Sequence, residues 1–253
     1  MLTISQPEKD IPALIAALER RDREDLTPGI VPIWGQIDAM QWARVEGMPR
    51  FWGEAGERRL QQCVEDFIIG CSGLKLKLGY LLVANRGAVE LYIGAQGLSA
   101  GHVLPAMLQG VLPGIRQRDA SALRLGAKLS DAQAFAWLGR LTGIPTRKAT
   151  GQEPSETSVF QMERVIRGLR DETWGYLVVS RPLEEAWVAR EVDQILQAVS
   201  AISPHVRIST PVGTATREVF NRQAQYAVEL LDASLERLTR GKALGMWASE
   251  AYF

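Results

Sequence analysis

The chain has 253 residues, 46% hydrophobic and 23% charged, with 29 Lys/Arg balanced by 29 Asp/Glu. That composition supplies one generous core or two smaller ones and excludes a chain disordered throughout. No apolar run approaches the roughly 18–20 residues of a bilayer-spanning helix, and residues 1–10 lack a leader's basic and apolar regions, so the expectation is a cytoplasmic protein without a membrane span.

Asp10 is a candidate N-cap for a short helix in which Leu14, Ile15 and Leu18 form the apolar face. Residues 26–56 carry Pro28, Pro32, Pro49 and several glycines together with Trp34, Trp42 and Trp52, and read as an irregular wrap; the three tryptophans either pin this arm to the body or dock on a partner. A helix follows, with Leu60, Cys63, Val64, Phe67, Ile68 and Cys71 on one face and Gly70 and Gly73 as candidate stops. Its two cysteines, the only ones in the chain, diverge too far to bridge and read as reduced core thiols. Residues 75–95 alternate into a hairpin turning at Asn85-Arg86-Gly87. A helix over residues 100–115 is shortened or bent by Pro105, Gly110 and Pro113, and "SALRLGAKL" and "FAWLGRLTGIPT" read as further short strands around an "LSDAQAF" turn.

"KATGQEPSETS" is the best linker, giving a candidate sub-boundary near residues 149–157 within an α+β domain spanning 73–253, after a helical and irregular arm over 1–72. Ser158 and Gln161 form a capping box for the next helix, and a strand through Gly175-Tyr176-Leu177 repeats the Gly79-Tyr80-Leu81 of the earlier hairpin. Ser180 is read as the cap of a helix striped by Val188, Val192, Ile195, Leu196, Val199 and Ile202. "SPHVRISTPVGTAT" reads as a loop before a long helix over about 216–240, and "GMWASEAYF" as a final strand whose lack of a polar tail suggests a cut at a domain boundary. The fold expectation is α+β, a mixed sheet covered by helices or two ferredoxin-like halves.

The neutral total conceals an asymmetry. Residues 1–72 hold eight Lys/Arg against twelve Asp/Glu, residues 73–151 ten against three, and residues 152–253 eleven against fourteen. Lys75, Lys77, Arg86, Arg116, Arg118, Arg124, Lys128, Arg147 and Lys148 are therefore candidates for a nucleic-acid or acidic-partner patch, unless they pair with the acidic flanks. Chemistry-bearing motifs are sparse. His102 and His205 stand alone, with no metal-ligand spacing around them. "GAQGLSAG" sits where a phosphate loop would lie but lacks the lysine and the hydroxyl that follows it in a P-loop. No catalytic residue, metal site or cofactor is assigned.

The order of elements over residues 155–253, with Arg167 to Leu169, Gly175-Tyr176-Leu177 followed by Arg181-Pro182, and Leu235-Glu236-Arg237 followed by Gly245-Met246-Trp247, resembles the region before the motor in HerA/FtsK-like translocating ATPases and the ATPases of conjugative type IV secretion. The resemblance implies a non-catalytic accessory domain that assists subunit assembly and DNA guidance, partnered by further copies or by a motor domain continuing the chain. The chain has no Walker motif, so no ATPase residue is implied. The alternatives are a free-standing α/β enzyme or ligand binder with a site near Gly94–His102, and a pure protein-interaction module.

Overall fold

The computed structural model describes residues 11–16, 39–48, 54–120, 139–141, 161–212 and 215–253. The chain divides into two compact units, a sheet unit of Gly29–Pro182 with Trp247–Phe253 and a helical unit of Met1–Pro28 with Leu183–Met246.

The sheet unit begins with β1 (Gln41–Gly47), α1 (Glu54–Gly73), β2 (Lys77–Asn85), β3 (Ala88–Gln96), α2 (Ala100–Val111) and β4 (Arg116–Ala120). β1 lies between β3 and β4, and β2 pairs with β3. The resulting order β4-β1-β3-β2 is that of a ferredoxin-like βαββαβ unit. After α3 (Gln161–Gly168), β6 (Thr173–Pro182) pairs with β2, β9 (Trp247–Tyr252) with β6, and the two-residue β5 (Arg140–Leu141) with β9, completing a seven-stranded sheet. The fold is α+β, a sheet covered by helices. Its described pairings are all antiparallel, because hairpins and split crossovers set each neighbour in the opposite sense.

Period-two alternation divides the sheet into two faces. Ala43 and Ala95 point toward α1 and α2, where Phe67, Cys71, Leu104 and Leu108 complete a core. The same face carries Leu82, Ala84 and Trp174 toward Met162 and Ile166 of α3. The opposite face holds Trp42, Leu81, Val83, Tyr92, Leu177 and Val179, a buried cluster with no described helix among its members.

The helical unit contains α4 (Glu185–Ile202), a 3-10 turn (Ser203–His205), the hairpin β7 (Arg207–Val212) with β8 (Ala215–Phe220), and α5 (Arg222–Leu244). Val188, Ile195 and Ile202 of α4 share a core with Ala224, Ala227, Leu231 and Leu238 of α5 and with Ile11 and Leu14 of helical residues 11–16. Counted from β6, the order β-α-β-β-α-β recurs, and β6 pairs with β9 as β1 pairs with β4. The second half does not close its own sheet: β2 occupies the other side of β6, and β7 and β8 form a separate two-stranded sheet.

Several expectations are corrected. Residues 41–47 are a strand inside the sheet, not part of an irregular arm, because Trp42, Arg44 and Glu46 alternate with Ala43 and Val45; the compact units accordingly do not divide at residue 72. Residues 207–212 and 215–220 are paired strands rather than a loop, which moves the start of α5 to Arg222, where the Asn221 side chain accepts hydrogen bonds from the backbone N–H groups of Gln223 and Ala224 at 3.1 and 3.2 Å. Ser180 is a strand residue with its Oγ 2.8 Å from that of Ser249, and Glu184 takes the N-cap position of α4. Gly70 does not stop α1 but lies inside it, where a Cβ would stand 2.6 Å from the Met107 methyl carbon. Likewise α5 continues past Gly241 to Leu244 and is capped by Gly245, φ 88°. β4 was not expected at all. Trp34, Trp52, Arg124, Lys128, Arg147, Lys148, Ser158, the "SALRLGAKL" strand, the "LSDAQAF" turn and the 149–157 linker lie outside the described residues.

Candidate functional site

The glycine-rich segment that starts at Gly94 within β3 and runs into α2 is one candidate site, and the structure gives its first glycine a packing role. Gly94 pairs with both Trp42 and Gly79 in the sheet. A Cβ at Gly94 would lie 2.6 Å from Trp42 Cε3, and one at Gly79 would lie 2.5 Å from Trp42 Cη2. The indole therefore lies against backbone that two adjacent strands leave bare, and it is 1% exposed. Trp42 is a core residue, so its candidacy as a partner-docking side chain falls. Gly97, at φ 154°, lies against Leu76, and the exposed His102 is on α2.

The two Gly-Tyr-Leu strands turn out to be neighbours. β2 and β6 pair antiparallel in a register centred on Leu81 opposite Leu177, so that Gly79 faces Val179, Tyr80 faces Val178, Leu82 faces Tyr176 and Val83 faces Gly175. The repeat forms a local two-fold across the middle of the sheet. Leu81, Val83, Leu177 and Val179 fill one face and the tyrosines occupy the other. Burial, followed by the nearby Tyr176 phenol, pushes the Tyr80 hydroxyl pKa upward. Apart from the tyrosine phenol, no acid, base or nucleophile is duplicated by the repeat, and its aliphatic positions answer a packing requirement.

Polar groups do converge on the face that carries Trp42. Arg44 of β1 lies directly opposite Arg118 of β4. Each guanidinium has its own carboxylate: Arg44 Nη2 is 3.1 Å from Glu90 Oε1, and Arg118 Nε is 3.0 Å from Glu46 Oε1. Tyr92 Oη donates to the second oxygen of Glu90 at 2.5 Å. The result is a ribbon of alternating charge over β4, β1 and β3, with Arg118 72% exposed at its outer end and Glu90 22% exposed at its inner end. Such pairs are worth at most about 1 kcal/mol each in contact with solvent. Their consequence is directional, since the outer strand presents fixed charge to whatever approaches. Sequence reading named Arg118 but missed Arg44, Glu46 and Glu90; the polar spacing of Trp42-Arg44-Glu46 and Glu90-Tyr92 was the available signal.

The described members of the basic set do not gather in one patch. Lys75 and Lys77 lie where α1 meets β2, while Arg86 lies in the hairpin turn at the opposite end of β2. Arg116 and Arg118 lie on β4, three strands from β2, with Arg116 against Gly47 and Arg118 paired to Glu46.

Among the other described groups, the buried thiol is not activated. Cys63 and Cys71 are free thiols, and burial pushes the Cys71 pKa up to about 12, away from the thiolate form a nucleophile needs. Among the described residues no three His, Cys, Asp or Glu side chains are grouped as metal ligands. A depression is lined, among the described residues, by Asp232, Leu235, Glu236, Thr239 and Arg240, all on α5. No described helix is long and apolar enough to cross a membrane. Comparison of the chain with protein-family models, curated proteins and solved structures finds no match in any of the three.

Proposed function

We propose that this chain is a non-catalytic accessory module of the kind that precedes the motor in HerA/FtsK-like translocases, and that it acts by assembling subunits and guiding DNA. The observation that carries the reading is β4, one of the two outer strands of the described seven-stranded sheet, which contains Arg116, Gln117, Arg118 and Asp119. An outer strand with free backbone groups invites indiscriminate pairing, and charged side chains block it. The same charges select a partner of complementary sign, which is how polar contacts fix register between protomers. The Glu46–Arg118 pair leaves Arg118 mostly in solvent and able to bridge to a neighbour's carboxylate.

Light scattering over a range of concentrations tests the assembly. The wild-type chain is expected to self-associate and Arg118→Glu to shift the equilibrium toward monomer by about tenfold or less, as one exposed ion pair allows. Guidance is tested separately with labelled DNA, since phosphate contacts weaken steeply with rising salt. An unchanged mass distribution in the variant removes β4 as the contact; absence of DNA binding at low salt removes guidance.

A further inference from the structure

α1 closes with the bond pattern of a Schellman end: Leu76 N–H donates to Cys71 O at 3.0 Å and Lys75 N–H to Ser72 O at 2.9 Å. The left-handed position in such an end is ordinarily glycine, but here it is Lys75, φ 54°. The β3–α2 connection also places a non-glycine residue in the left-handed region, Ser99 at the N-cap of α2, φ 61°. Each of these residues directly follows an exposed leucine, Leu74 at 55% and Leu98 at 96%. The two loops are braced together. Leu76, buried beneath them, lies 2.7 Å from where a Cβ on Gly97 would be, and Lys77 pairs with Gln96 across β2 and β3. Backbone strain of this kind persists only where the surroundings enforce it, and each strained residue here stands next to a leucine exposed at one end of the sheet.

That end also carries cations. Lys75 and Lys77 follow the first leucine closely, and Arg181 follows Ser180, the partner of Leu78, on the adjacent strand β6. Residues 67–89 and 91–118, which contain the two loops, hold no aspartate or glutamate, while Glu250 lies opposite Val179 on β9 and Glu184 follows Arg181 in the chain. We infer that this end of the sheet unit docks on an anionic lipid surface, with Leu74 and Leu98 entering the acyl boundary and Lys75, Lys77 and Arg181 meeting the headgroups. A fluid surface accepts isolated projecting side chains, whereas a stable protein partner would cover about 800 Å² of contiguous surface, far more than two leucines supply. The inference stands independently of the assembly role.

Co-sedimentation of the 253-residue chain with phosphatidylcholine vesicles, with and without phosphatidylserine, tests it. Binding is expected only with phosphatidylserine and is expected to weaken as salt rises. Leu98→Ser should reduce partitioning at least tenfold, and Lys75→Gly about fivefold. Neither substitution threatens the fold, because Leu98 is in solvent and glycine suits a left-handed position; circular dichroism confirms this. Failure of the wild type to bind phosphatidylserine vesicles, or equal binding by Leu98→Ser, overturns the inference. So does a Leu98→Ser variant that loses self-association but keeps its lipid binding, which would assign the leucines to a second copy of the chain.

Discussion

Replacing Gly94 with alanine tests whether bare backbone is what allows Trp42 to be buried. In an ordinary strand interior the change from glycine to alanine stabilises, by roughly 0.5–1 kcal/mol, because the unfolded chain loses freedom. Here the added methyl would meet Trp42 Cε3 at 2.6 Å and Cδ2 and Cζ3 at 2.8 Å, well inside van der Waals contact. Three atoms of one rigid ring cannot yield as the tip of a flexible side chain can, and an indole that is 1% exposed has little room to retreat. Overpacking of this kind costs about 1–3 kcal/mol, so the sign reverses and a net loss of roughly 1–2 kcal/mol is expected. Urea denaturation followed by far-ultraviolet circular dichroism measures it. Trp42→Phe shortens the ring, so Gly94→Ala should cost less in that background, and a double-mutant cycle isolates the coupling. A Gly94→Ala variant as stable as the wild type, or one whose cost is unchanged when combined with Trp42→Phe, would refute the seating of Trp42 on these strands.

Three further outcomes follow from the same geometry. Cys71, fully buried with its pKa pushed up to about 12, should stay unreactive toward a thiol reagent at pH 8 until the chain is unfolded, so native titration counts fewer thiols than titration in denaturant. Its folded pKa lies above the unfolded value, so the associated stability is present below about pH 9 and is lost as pH climbs toward about 12; urea midpoints should fall across that window and not below it. Asn221→Ala removes the acceptor for two N–H groups at the start of α5 and should cost about 1 kcal/mol, read as a lower urea midpoint with an unchanged slope.

Local signals were legible where the chain satisfies itself over a few residues. The β2–β3 turn was readable because Arg86 and Gly87 both take positive φ, as a two-residue hairpin requires, and Asn85-Arg86-Gly87 tolerates it. α1 was readable from the period of Phe67, Ile68 and Cys71. β4 was not, because Arg116-Gln117-Arg118-Asp119 has no apolar alternation; an outer strand needs few buried side chains, and ladder hydrogen bonds to β1 define it. β1 was obscured by the prolines and glycines around it, and β7 and β8 by Pro211 and Gly213. The α+β class survived these omissions because the central strands were found. Site geometry was less accessible. That Arg44 would oppose Arg118, and that Gly79 and Gly94 would share one indole, depends on the register of strands distant in sequence, which no local pattern encodes.

Hydrogen–deuterium exchange at low and high protein concentration tests the assembly role most directly, because it locates the contact as well as detecting it. Peptides covering Arg116–Ala120 should gain protection as concentration rises, and should lose that gain in Arg118→Glu. Exchange at β4 that is indifferent to concentration, or protection that appears only elsewhere, would contradict the proposal that this charged outer strand joins subunits.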